Sequence, residues 1–170
     1  MTFIDYIFDS ALVLLVLVQL KERTLTTKSL VRPLVIVAIA VANYLHGIPS
    51  AGNDLVLVAI LALIGLSIGV ASGQTVLMRP GRDGVLARAG WASACFWVLG
   101  MGSRFAFAVW ANNGGASVIG RFSAQHAITS GEAWTVALLA MVVFEVSGRT
   151  LVLAARRHQL ERGVPAPELA

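Results

Sequence analysis

Apolar residues in this chain fall into five long, continuous blocks, at 3–20, 30–48, 55–78, 90–111 and 133–155. They run on without a period of two, so none reads as a half-buried strand. Each is close to the ~20 residues that an α-helix needs to cross a bilayer. In lipid, only helices and closed barrels pair all their own backbone polar groups. The pattern therefore predicts an all-α integral membrane bundle of five transmembrane helices. Residues 1–156 make its single domain, and 157–170 a polar cytoplasmic tail with Pro165 and Pro167. Block one carries Asp5 and Asp9 where a signal peptide has basic residues, and no small-residue cleavage site precedes Lys21, so it reads as a mature helix.

The links between blocks are short, and the fragment Arg79-Pro80-Gly81-Arg82-Asp83-Gly84 reads as one of them. The longest link, 112–132, opens with Asn112-Asn113-Gly114-Gly115 and continues into a mildly amphipathic stretch around Phe122 and His126. That stretch is expected to lie at the interface or to fold back over the bundle.

Composition points the same way. Of 170 residues, 57% are hydrophobic and 13% charged, against roughly 25% charged in a soluble domain. The net charge of +4 would suit nucleic acid, but its distribution explains it otherwise. Segments 21–32 and 79–88 and the tail from Arg149 hold 11 of the 13 Lys and Arg. Five helices put all three segments on one side, and the positive-inside rule makes that side cytoplasmic. The expectation is a multi-pass protein of the cell membrane, N-terminus outside and C-terminus inside. Its partner is membrane lipid and not nucleic acid. Cys95 stands alone, so no disulfide, CxxC pair or zinc site can form within the chain.

Ionisable groups inside spans are costly and therefore informative. Here they are Asp9, Arg104, Glu145 and Arg149, with Asp5 and His46 near the outer ends. Arg104 and Glu145 come within reach of each other if blocks four and five are neighbours. Asn43 and His46 share a helix face, as do Trp97, Gly100, Arg104 and Phe107, and Trp134, Leu138, Met141, Glu145 and Arg149. These faces outline an acid-rich pocket opening from the outer half, walled by Trp97, Phe105, Phe107, Trp134 and Met141, with Asn43 and His46 near its mouth and Glu145 at its floor. Plainer roles exist for each group. Arg104 can simply neutralise Glu145, Glu145 and Arg149 can pair across one turn, and Arg149 can snorkel to the cytoplasmic surface. Gly65, Gly69 and Gly73 form a small-residue stripe that lets helices approach closely, within the bundle or in a homo-oligomer.

The chain has no P-loop, GxSxG, HExxH or DDxxD-type motif, and no two histidines at metal-ligand spacing. Neither a metal nor a cofactor is expected. A metal-free enzyme of this composition would rely on a carboxylic acid kept protonated by burial. Such an acid protonates an alkene or epoxide, and aromatic faces stabilise the cation. Asp5, Asp9, Glu132 and Glu145 are the acids that could serve, with Arg104 orienting an acid or the polar head of a lipophilic substrate.

Two resemblances bear on this. The run Gln-Leu-Lys-Glu-Arg-Thr-Leu-Thr-Thr-Lys-Ser-Leu from Gln19 resembles small actinobacterial multipass proteins labelled cytochrome c biogenesis, CcdC-like. So do Leu66-Ser-Ile-Gly-Val-Ala-Ser-Gly-Gln-Thr-Val-Leu-Met-Arg79, Arg82-Asp-Gly and Ser103-Arg104, so that a little over half the chain is covered. The thiol chemistry implied by that label has no cysteine pair here. In size, helix count and embedded acids the chain is also similar to the bacterial membrane-bound terpene cyclases of indole-sesquiterpenoid pathways, of the drimentine or xiamycin type. That likeness implies metal-free cyclisation begun by protonating a prenyl double bond or epoxide. Three readings follow: a membrane-embedded terpene cyclase of secondary metabolism, a non-enzymatic membrane subunit or assembly factor, and a small transporter coupled to protons through Glu145.

Overall fold

The computed structural model of the chain describes residues 23–44, 51–81 and 84–163. Five helices appear in it: α1 (Thr27–Tyr44), α2 (Asp54–Gln74), α3 (Trp91–Trp110), α4 (Ala116–Gln125) and α5 (Gly131–Glu161). Among the described residues, three helical stretches are long and apolar enough to cross a membrane: α2, α3 counted on through α4, and α5. Block one lies outside the described residues. Block two becomes α1, whose 18 residues include Lys28, Arg32 and Pro33.

Helices α2 and α5 run parallel and make the most extensive contact in the fold. Their inner faces are built of small residues. A Cβ at Gly65 or Gly69 would collide with the backbone carbonyl of Met141 or Glu145, and one at Gly73 with the Val152 side chain. The glycine stripe therefore packs α2 against α5 within one chain. Large apolar side chains point outward instead: Ile60 is 50% exposed, Leu63 62% and Leu151 68%. Small residues inside and large ones outside is the arrangement of helices packed by van der Waals contact in an apolar solvent.

The fold is not all helix. Three short strands, β1 (Arg23–Thr24), β2 (Val76–Gly81) and β3 (Gly84–Ala89), form an antiparallel sheet in the order β1-β3-β2. Val76 faces Ala89 across the β2–β3 hairpin, and Gly81 faces Gly84. The expected span 55–78 thus ends early. Thr75 closes α2, and Val76, Leu77 and Met78 alternate buried, exposed and half-buried, as a strand requires. Leu30, Val76 and Leu153 make a small core that fastens α1, the sheet and α5 together. Arg156 Nη1 closes this end by donating to the carbonyls of Gly73, Gln74 and Val76 at 3.0, 2.8 and 2.8 Å. The basic segments expected to share one side meet at this end.

At the opposite end Asp54, fully buried, begins α2 and holds the loop that leads into α5. Its carboxylate accepts from the Thr129 amide at 2.8 Å and the Thr129 hydroxyl at 2.5 Å. Asn53 Nδ2 donates to the His126 carbonyl at 2.9 Å. Between α3 and α4 the chain passes through a wide turn, Ala111–Gly115, where Gly114 takes φ +99°. That left-handed residue lets α4 fold back over the bundle, where the amphipathic stretch was expected.

Candidate functional site

Helices α2, α3 and α5 enclose a cleft of about 380 Å³. Ile64 and Leu99 line it and are 43% and 56% exposed, so it opens sideways. Its inner wall is Leu138 and Met141 of α5, and Arg104 brings in the one charged side chain among the described lining residues.

The floor is an ion pair. Arg104 Nη1 donates to Glu145 Oε2 at 2.7 Å, and the two side chains are only 14% and 12% exposed. Gly100, one turn before Arg104, makes room for the carboxylate: a Cβ there would sit 2.5 Å from Glu145 Oε1. A pair this enclosed is held by mutual neutralisation, since either charge alone would be costly to bury. One turn further along α5, Arg149 Nη1 donates to the hydroxyls of Ser72 on α2 and Ser93 on α3. Arg149 therefore turns inward to two serines. It stays within the electrostatic reach of Glu145 and does not snorkel to a surface.

The upper wall is aromatic. The Phe107 and Trp134 rings stack with centroids 5.3 Å apart and planes inclined by 22°. Trp134 is fixed by its indole N–H, which donates to Ser123 Oγ of α4 at 3.0 Å, and by Phe122 at 6.0 Å.

Of the residues singled out from the sequence, Arg104, Phe107, Trp134 and Met141 line this cleft, and Glu145 lies behind Arg104 as its ion-pair partner. No match to a family model, a curated protein or a solved structure was found for the chain. Three expected members fall elsewhere. Phe105 is 71% exposed, because two positions along a helix rotate a side chain about 200° away from Phe107. Trp97 is half-buried but does not line the cleft. Glu132 is exposed in the first turn of α5, where an acid complements the helix dipole. Asp5, Asp9 and His46 lie outside the described residues, as does the side chain of Asn43. The most deeply buried acid among the described residues, Asp54, was missed. Its signal was the Asn53-Asp54 pair at the start of an apolar run, which favours a helix start.

Proposed function

We propose that the chain is a multi-pass protein of the cell membrane, with its basic end in the cytoplasm, that cyclises a lipophilic prenylated molecule in the α2–α3–α5 cleft. The observation that carries this is the cleft itself. It is apolar and open sideways, with stacked aromatic rings above and, below, the Arg104 guanidinium backed by the Glu145 carboxylate. A hydrocarbon chain enters such a cleft from lipid without crossing water. Arg104 turns to donate to an oxygen at the chain's end, an epoxide for example, and Glu145, left without its counter-charge in an apolar cleft, takes up one proton from water and becomes the acid. The proton opens the epoxide, the neighbouring double bond closes the ring, and the last cation returns a proton to the carboxylate. Substrate and product are isomers, so the proton balance closes without a consumed co-reactant. Phe107 and Trp134 face the cation along its path.

The test is incubation of the purified protein with prenylated indoles carrying or lacking a terminal epoxide. The expected products have unchanged mass and a new carbocycle, with a hydroxyl in place of the epoxide where one was present, and neither EDTA nor added magnesium alters the rate. Loss of turnover in folded Glu145→Gln supports the assignment, whereas full turnover in that variant overturns it. The reading as a membrane subunit or assembly factor is favoured by a different observation. Arg104–Glu145 and Arg149 with Ser72 and Ser93 each fasten neighbouring helices, as purely structural staples would. No conversion of any prenylated probe by the wild-type protein would leave that reading standing.

A further inference from the structure

A second cavity, of about 530 Å³, lies under α4 and shares Phe107 and Trp134 with the cleft. Its chemistry differs from the cleft's. Ser123, Thr129 and Ser130 line it, together with small residues such as Gly120 and Ala124, and no charged side chain is among its described lining residues. A serine hydroxyl has one donor and two acceptor lone pairs. Ser123 Oγ accepts from Trp134 and Ser130 Oγ accepts from the Ala133 amide, so both keep their own O–H for another acceptor. The Thr129 hydroxyl is spent on Asp54. The upper chamber therefore offers neutral hydrogen bonds at the Asp54 end of the bundle, and the lower chamber offers apolar surface further in. Each volume lies in the roughly 300–1,000 Å³ range of small-molecule sites.

We infer that the two chambers form one bipartite site for an amphiphile, with an uncharged hydrogen-bonding head group under α4 and a hydrocarbon chain passing the Phe107–Trp134 stack into the cleft. This rests on the cleft being the substrate site, and it adds the polarity and direction of the ligand. Hydroxyl, carbonyl and heterocyclic heads fit. A diphosphate does not, because nothing in the described lining neutralises it and burying it unpaired is costly. The chain's far end then arrives at Arg104 and Glu145.

The experiment uses the whole protein in lipid nanodiscs and two farnesol probes, one with a diazirine beside the hydroxyl and one with it at the far end. After photolysis and digestion, the head-labelled probe should mark residues 116–131. The tail-labelled probe should mark α2 or α3 near Ile64 and Ser103. Unlabelled farnesol should compete with both, and farnesyl diphosphate with neither. Gly120 gives a clean block, since a Cβ there meets nothing within 4 Å. Gly120→Leu should abolish head labelling, and Ser123→Ala should weaken it while the protein still folds. Tail labelling in the cleft with head labelling away from 116–131, or the reverse orientation, overturns the inference and leaves the cleft as the substrate site. Absence of competable labelling by either probe defeats the cleft reading, and this inference with it.

Discussion

Arg104 and Glu145, 41 positions apart in the chain, meet through a 2.7 Å hydrogen bond between α3 and α5, and both side chains are largely enclosed. Each residue's presence is explained by the other. Removing one partner of a buried pair costs about 3–5 kcal/mol in soluble proteins, while replacing both by apolar groups can be neutral. Arg104→Met and Glu145→Leu should each lower the thermal midpoint of the detergent-solubilised protein, and the double variant should regain much of the loss. Two single effects that simply add would show that the pair is not coupled.

The α2–α5 seam predicts a contrast between glycines. At Gly65 and Gly69 an added methyl would run into the backbone of Met141 and Glu145, which cannot swing aside. At Gly102 an added methyl meets nothing within 4 Å. Overpacking typically costs about 1–3 kcal/mol and sometimes more. Gly65→Ala and Gly69→Ala should therefore sharply reduce the yield of folded protein, while Gly102→Ala should match the wild type. Equal yields for all three would mean that α2 and α5 are not packed at backbone distance.

How far the chain could be read without coordinates depended on which physical signal was long enough to register. Helices α2, α3 and α5 were legible because apolar runs of twenty residues leave few alternatives, and the helix faces anticipated the Arg104–Glu145 pair and the Phe107–Trp134 stack. The sheet was not legible. Val76, Leu77 and Met78 continue an apolar run without interruption, and three residues are too few to tell a period of two from 3.6. Pairing with Ala87–Ala89 across the hairpin and the bond from Arg156, 80 positions away, decide the matter. Phe105 was misplaced by treating neighbours in sequence as neighbours on a wall. Asp54 was overlooked because its partner, Thr129, lies 75 positions away.

Asp54 should prove structural. Its carboxylate is fully buried and accepts both hydrogen bonds of Thr129. Leaving a buried donor unsatisfied costs about 1–3 kcal/mol. Asp54→Ala should loosen the loop before α5 and expose it to protease, while Asp54→Asn, which keeps an acceptor oxygen, should do so less. Unchanged cleavage around 126–130 in Asp54→Ala would show that this contact does not hold the loop.

Topology can be checked independently of any ligand. With the basic end in the cytoplasm, reporter domains fused at Asn53 and Asn113 should give an external signal. Fusions at Asp83 and at the C-terminus should give an internal one. An external signal at Asp83 would reverse the proposed orientation.

Arg156 offers the sharpest test of how the sheet is attached. One guanidinium nitrogen donates to three carbonyls, those of Gly73 and Gln74 in the last turn of α2 and that of Val76 at the start of β2. The last carbonyls of a helix have no partner within it, and a cation there also opposes the negative end of the helix dipole. Arg156→Ala takes this donor from all three carbonyls, and the buried Val76 has little access to water in its place. Lysine keeps the charge but places its donors on a single tetrahedral nitrogen with a different reach. Amide hydrogen exchange over 74–89 should therefore be fastest in Arg156→Ala, intermediate in Arg156→Lys and slowest in the wild type. Exchange in the α2–α5 seam around Gly65 and Met141 should stay unchanged in all three. Equal exchange across the hairpin in the three proteins would mean that the Leu30–Val76–Leu153 cluster alone anchors the sheet.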